Sequence, residues 1–175
     1  MKKKNSIVQL AKLKKKIYLK DKKIKKIYEI FKNILFKHIK YESFCIGVSG
    51  GPDSLALAYL SKIYSKEFGT KYRVLIVNHR LRKESTKEAK EVKFILLKQE
   101  ILSKILKWKG KIPKSNIQLN ARQIRHGLLL KKCYSLKIKN LILGHQMNDF
   151  IENFLIRLFR GSGLKGLTSF NQVSF

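Results

Sequence analysis

Residues 49–54, Ser-Gly-Gly-Pro-Asp-Ser, place two hydroxyls, two glycines and a carboxylate directly behind a short apolar run, Phe44 to Val48. Gly50 and Gly51 allow positive φ and a close approach of backbone to a ligand. Pro52 has no N–H to leave unsatisfied and suits the first turn of a following helix. Successive amides, with the Ser49 and Ser54 hydroxyls, can then wrap an anion at the positive end of that helix. A tight structural turn would use the same residues, so both readings stand. Asp53 would repel a phosphate directly; it either caps the helix or holds a divalent cation that bridges to phosphates. The segment lacks the Gly-Lys-Ser/Thr of a Walker A loop and the GxGxxG of a dinucleotide loop.

Three more groups carry chemistry. His145, Asp149 and Glu152 are spaced by four and three, which puts them on neighbouring positions of one helix face. They read either as a site or as a helix start whose acids offset the macrodipole, with His145 a hydrogen-bonded loop residue. Arg122 and Arg125, three apart, present forks of N–H donors to phosphate, or else face solvent. Arg157 and Arg160, ahead of Gly161 and Gly163, contact phosphate or close a helix. Trp108 is isolated and reads as core or pocket wall. Cys45, inside an apolar run, and Cys133 read as inert.

The elements that must position these groups alternate. Residues 22–38 carry apolar side chains at helical spacing. Strands are expected at 44–48, 73–77, 104–108 and 140–143, and helices at 54–64, 85–99, 116–136 and 149–159. Ser85 with Glu88 three later predicts a capping box. Short apolar strands alternating with helices predict an α/β domain whose parallel sheet is covered on both faces. Ligands of such sheets sit beyond the C-terminal ends of the strands, where residues 49–54 fall.

Composition bounds the partners. The chain has 175 residues and 40 Lys plus Arg against 11 Asp plus Glu, a formal charge of +29. That excess favours polyanions, nucleic acid ahead of an anionic membrane surface; a lysine-rich genomic bias is the plainer alternative. No apolar run reaches about 18 residues, so no membrane span is expected. The two cysteines form no CxxC pair, which suits a reducing compartment. Residues 1–40 hold fifteen lysines against Asp21 and Glu29 and form a basic, helical N-terminal segment ahead of a domain at 41–175. Its first 20 residues are either a flexible basic arm or a solvated end.

Four segments, in order, resemble one family. SGGPDS after a strand resembles the pyrophosphate-binding loop of the N-type ATP pyrophosphatases, the PP-loop superfamily. IVNHRLRKES at 76–85, ARQIR at 121–125 and LGHQMNDFIENFLIRLFRGSGLKGL at 143–167 look like segments of its tRNA(Ile)-lysidine synthetases. The resemblance covers about 42–168. It implies a three-layer domain of the adenine nucleotide alpha hydrolase-like type, with ATP and Mg²⁺ as cofactors. The implied reaction ligates free L-lysine to the wobble cytidine 34 of CAU-anticodon tRNA(Ile), through an adenylated cytidine, releasing pyrophosphate and AMP.

The same resemblance implies roles. Asp149, Arg122, His145 and Asp53 would be catalytic, with Glu152 in support. Ser49, Gly50, Gly51, Pro52, Asp53, Ser54 and His79 would hold the nucleotide, Asp53 the Mg²⁺. Arg125, Arg157 and Arg160 would contact RNA. Two departures stand out: Asn148-Asp149 replaces a pair of aspartates, and Val77-Asn78-His79 replaces Val-Asp-His. Each removes a negative charge and puts full catalytic strength in question. Ending at Phe175, the chain is expected to hold an incomplete catalytic domain. A cytoplasmic location is expected, with a mitochondrial or plastid matrix as alternative; oligomeric state is left open, a homodimer included. The rival readings are another PP-loop tRNA-modifying enzyme and a catalytically weak RNA-binding remnant.

Overall fold

The structure is a computed structural model that describes residues 21–110 and 117–144, with side chains from residue 120 onward in the second stretch. Its elements run α1 (Lys22–Ile39), β1 (Phe44–Val48), α2 (Pro52–Phe68), β2 (Tyr72–Asn78), α3 (Ser85–Lys98), β3 (Ser103–Lys107), α4 (Ile117–Ser135) and β4 (Asn140–Leu143). The expected helix at 149–159 and the first 20 residues lie outside the described residues.

The four strands are parallel, in the order β3-β2-β1-β4. Phe44 stands opposite both Tyr72 and Asn140, and Asn78 opposite Lys107. Side chains alternate across the pleat, so each strand feeds two cores. Phe44, Ile46, Val48, Val74 and Ile76 face one side, with Tyr28, Leu35 and Ile39 of α1, Ala58 and Tyr64 of α2, and Ala89, Val92 and Leu96 of α3. Cys45 and Leu75 face the other, against Leu129 and Cys133 of α4. Three layers result, as the continuous apolar strands required.

Chain order fixes where a ligand can bind. The sheet grows from β1 through β2 to β3 with α2 and α3 on one face. It then returns across β1 to lay down β4, with α4 on the opposite face. Strand order therefore reverses between β1 and β4, which opens a crevice beyond their C-terminal ends.

Helix ends explain most departures from the expected bounds. Asp21 caps α1, its carboxylate accepting from the Lys23 and Ile24 amides at 2.7 and 3.3 Å. Helix α2 starts earlier than expected because Pro52 is already in its first turn, and ends later, at Gly69, whose φ of 68° is the left-handed stop. The capping box at Ser85 does not form. Glu84 precedes the helix in helical conformation with no side-chain cap, and the Ser85 hydroxyl accepts from the Arg82 amide at 3.3 Å. Ser85 thus ties down the preceding loop instead of the helix.

Candidate nucleotide site

The loop at 49–54 is organised by one buried hydroxyl. Ser54 Oγ accepts from the Ser49 and Gly50 amides, both at 3.2 Å, lies 3.3 Å from the Ser49 hydroxyl, and donates to the Gly51 carbonyl at 2.9 Å. Two successive amides therefore converge on a single oxygen, the geometry of an anion nest. At 3.2 Å these bonds are longer than the usual N–H···O distance of about 2.9 Å. Gly50 makes the turn possible. Its φ is +99°, and a Cβ there would lie 2.6 Å from Val92 of α3. Gly51 is the N-cap of α2 and supplies no side-chain cap, so the helix presents its positive end at the loop.

A cavity opens beside this loop, at the C-terminal ends of β1, β2 and β4. Its floor is Gly47, Val48, Leu75, Ile76, Val77 and Leu143; its polar rim includes Ser49, Ser54, His79, Arg82, Ser85, Glu88, Arg125 and His126. Gly144, leaving β4, is pressed against the start of α2: a Cβ there would stand 3.1 Å from Ser54 Cα and 3.3 Å from the Asp53 carbonyl carbon. Glycine at 144 is what lets β4 end against the loop.

Two arginines, Arg82 and Arg125, and one carboxylate, Glu88, set the charge around the cavity. Burial first, then Arg122, lowers the Arg125 pKa. A guanidinium keeps its proton regardless, so the shift records how much Arg125 would gain from an anion. Burial also lowers the His79 pKa, with Arg125 and Arg82 adding to it and Glu88 opposing. His79 is therefore neutral at pH 7. Its Nδ1 accepts from the Leu81 amide at 3.3 Å, which leaves Nε2–H as the ring's donor. Arg82 lies 3.6 Å from Glu88 at the exposed rim.

Of the residues singled out in the sequence, Ser49, Ser54, His79 and Arg125 line this one cavity. Gly50 and Gly51 shape the loop, while Pro52 and Asp53 are exposed on the first turn of α2. The arginines of α4 separate: Arg125 lines the cavity and Arg122, exposed, does not. His145, Asp149, Glu152, Arg157 and Arg160 lie outside the described residues. Sequence reasoning gave no role to Arg82, His126 or Gly144, and read Ser85 and Glu88 as a cap. For His126 a signal existed: it sits four after Arg122 and next to Arg125, on one helix.

Asn78 makes structural hydrogen bonds. It is buried, its Nδ2 donates to Thr86 Oγ1 at 3.0 Å and its Oδ1 accepts from the Arg80 amide at 3.1 Å. An amide satisfies both partners without burying a charge.

The site suits a nucleoside polyphosphate: convergent amides, an uncapped helix start, a half-buried guanidinium and an apolar floor. Among the described residues no cluster of three or more His, Cys, Asp or Glu is placed to hold a metal. Mg²⁺ commonly binds through one or two carboxylates plus substrate phosphates, so Asp53 fits an ion that arrives with the nucleotide.

The family model of the PP-loop domain matches residues 17–175. The chain belongs to the PP-loop family. Three curated relatives of this PP-loop chain share a name. The tRNA(Ile)-lysidine synthase of Orientia tsutsugamushi is 44% identical over 126 residues, 72% of this chain and 29% of that protein. Those of Wolbachia pipientis and Bradyrhizobium diazoefficiens are 38% and 35% identical over 83% and 74% of the chain, which covers 35% and 36% of their lengths. The PP-loop chain thus spans about a third of the length of these relatives. Among solved structures, the U34-tRNA thiolase NcsA from Methanococcus maripaludis superposes with a TM-score of 0.67 at 21% identity, over 84% of this chain and 55% of that one. That likeness is one of fold.

Proposed function

We propose that this chain uses ATP to ligate L-lysine to the wobble cytidine 34 of a CAU-anticodon tRNA(Ile), releasing AMP and pyrophosphate. The observation that carries the reading is the meeting of loop 49–54, the start of α2 and Arg125 in one cavity where strand order reverses. The similarity to curated lysidine synthases supports this choice of reaction.

The chemistry divides in two steps. The cytidine C2 oxygen attacks the α-phosphorus of ATP, and the bond to pyrophosphate breaks. The lysine ε-amine then attacks C2, loses its proton, and displaces AMP through the C–O bond. For the first step, the Ser49 and Gly50 amides exchange their long bonds to Ser54 for oxygens of the departing pyrophosphate. The first-turn amides of α2 add their dipole. Arg125 neutralises charge on the phosphoryl oxygens, and neutral His79 donates through Nε2–H. Mg²⁺ held at Asp53 would supply further neutralisation of the leaving group. His145 and Asp149, which follow Gly144 in the chain, are assigned to the base and the incoming amine.

Sulfur transfer is the nearest alternative, and the cysteines speak against it. Cys45 and Cys133 are both buried in the core under α4; burial, then Cys133, pushes the Cys45 thiol up to about 12, and burial raises Cys133. Neither is a poised nucleophile.

The test is incorporation of radiolabelled lysine into CAU-anticodon tRNA with ATP and Mg²⁺. Label in RNA supports the reading. RNA binding without label or pyrophosphate release contradicts it and leaves an RNA-binding remnant.

A further inference from the structure

A second cleft lies on the far side of α3 from the nucleotide cavity. It is bounded by the outer flank of α3 and by β3, the edge strand of the described sheet. Lys90 and Lys93 descend from α3, and Lys107 comes from β3 on the same face as Ser103 and Ile105, while Lys104 alternates to the face of Leu106 at the cleft's border. Thr86, Lys90 and Lys93 fall at helical positions i, i+4 and i+7, so they form one stripe. No carboxylate is in the lining. Ser103 also lines the cleft, and its hydroxyl is buried without a hydrogen-bond partner. An orphaned buried hydroxyl costs free energy unless a ligand or water satisfies it. Thr86 Oγ1 accepts from Asn78, which leaves its own hydrogen as a donor toward the cleft.

The cleft runs along β3 from Ser103 to Lys107, about 13 Å at the rise of a strand. Its upper end is Asn78, paired with Lys107 at the C-terminal ends of β2 and β3. The next residue, His79, lines the nucleotide cavity. A polyanion lying in the cleft is therefore led to the edge of the reaction site. A row of ammonium groups at spaced intervals, with hydroxyl donors and no acid, fits repeated phosphates rather than one compact anion. Lysine serves here as a point charge that tolerates any sequence, which suits a backbone and not a base edge.

We propose that the groove between α3 and β3 is a track for an RNA phosphodiester backbone. It rests on the reading of the chain as an RNA-modifying enzyme, and it holds the strand whose target base enters the cavity. The experiment compares three forms of the full chain binding a CAU-anticodon tRNA transcript across a salt series. They are the wild type, a groove variant with Lys90, Lys93 and Lys107 each changed to Gln, and a control. The control changes Lys71, Lys137 and Lys139 to Gln, which removes the same charge at the opposite end of the sheet. Each phosphate contact contributes roughly 0.7–0.9 to the slope of log K against log salt, so the groove variant should lose about 2.5 in slope. The control should keep a slope close to that of the wild type. Equal slopes for groove variant and wild type, an equal loss in the control, or no RNA binding by the wild type would each overturn the proposal. Failure of the ligase reading is seen separately, as a wild type that binds RNA and adds no lysine.

Discussion

The two faces of the sheet are built differently. On the face of Phe44, Ile46 and Val48, three helices pack large side chains, Tyr28, Tyr64 and Leu96, and Ile101 joins them from the link between α3 and β3; all four are essentially without exposed surface. Tyr64 alone meets Phe31, Phe44 and Phe68 at ring distances of 4.5–6.4 Å, and its hydroxyl donates to the Lys40 carbonyl at 2.6 Å. On the other face the described core is small, Cys45, Leu75, Leu129 and Cys133 under α4. The nucleotide cavity opens at the end of this thinner side, floored by Gly47, Leu75 and Leu143. One face fixes the backbone, and the other leaves room for a ligand. Substitutions on the first should cost stability, and substitutions around the second should cost binding and turnover.

The sharpest contrast is Tyr64→Ala, expected to lose about 4 kcal/mol of stability by cavity formation and loss of its hydroxyl bond, read from urea midpoints. Cys133→Ala on the thin face should lose about 1 kcal/mol in the same assay, since little volume is removed. Equal costs would erase the difference between the faces. Arg125→Ala should instead keep the urea midpoint while lowering ATP-dependent ligation roughly 100-fold, near 2.7 kcal/mol of transition-state stabilisation. Arg122→Ala should lose less than about tenfold, its side chain being exposed and outside the cavity lining. A reversed order would move the phosphate-binding role along the helix.

Gly50→Ala joins the two effects. The positive φ and the contact with Val92 predict about 1–2 kcal/mol of destabilisation by chemical denaturation. Weaker ATP binding by calorimetry should accompany it, because the nest can no longer close. The smallest expected effect is of pH. The His79 pKa is lowered on folding, so below about 6.5 the unfolded chain binds a proton that the folded site resists. Stability should fall as pH drops through that window and be unaffected above it, and His79→Gln should flatten the decline. A steeper decline in the variant would contradict the assignment.

Much of this arrangement is legible in the sequence, and the rest is hidden for physical reasons. Strands 44–48 and 140–143 have the expected bounds because short apolar runs meet polar residues or glycine at both ends. The loop stands out because few sequences need two glycines and a proline behind a strand. Ser85 misleads, since the same Ser-x-x-Glu spacing serves a cap or a loop tie, and the geometry of Glu84 decides between them. Arg122 and Arg125 look equivalent in a string of letters. The rotation of α4 about its axis, set by Leu129 and Cys133 in the core, chooses Arg125. Arg82 and His126 emerge with the cavity itself, which joins segments more than 40 residues apart. Asn78 shows the converse, a charge missing from an expected motif that the fold does not require.

Amide hydrogen exchange of the full chain, with and without ATP and Mg²⁺, tests the central claim most directly. Engagement of the triphosphate predicts slowed exchange at Ser49, Gly50 and Gly51 and at the first-turn amides of α2. Protection at these sites should disappear in Arg125→Ala at the same ATP concentration. ATP binding that leaves exchange at residues 49–55 unaltered would contradict the account.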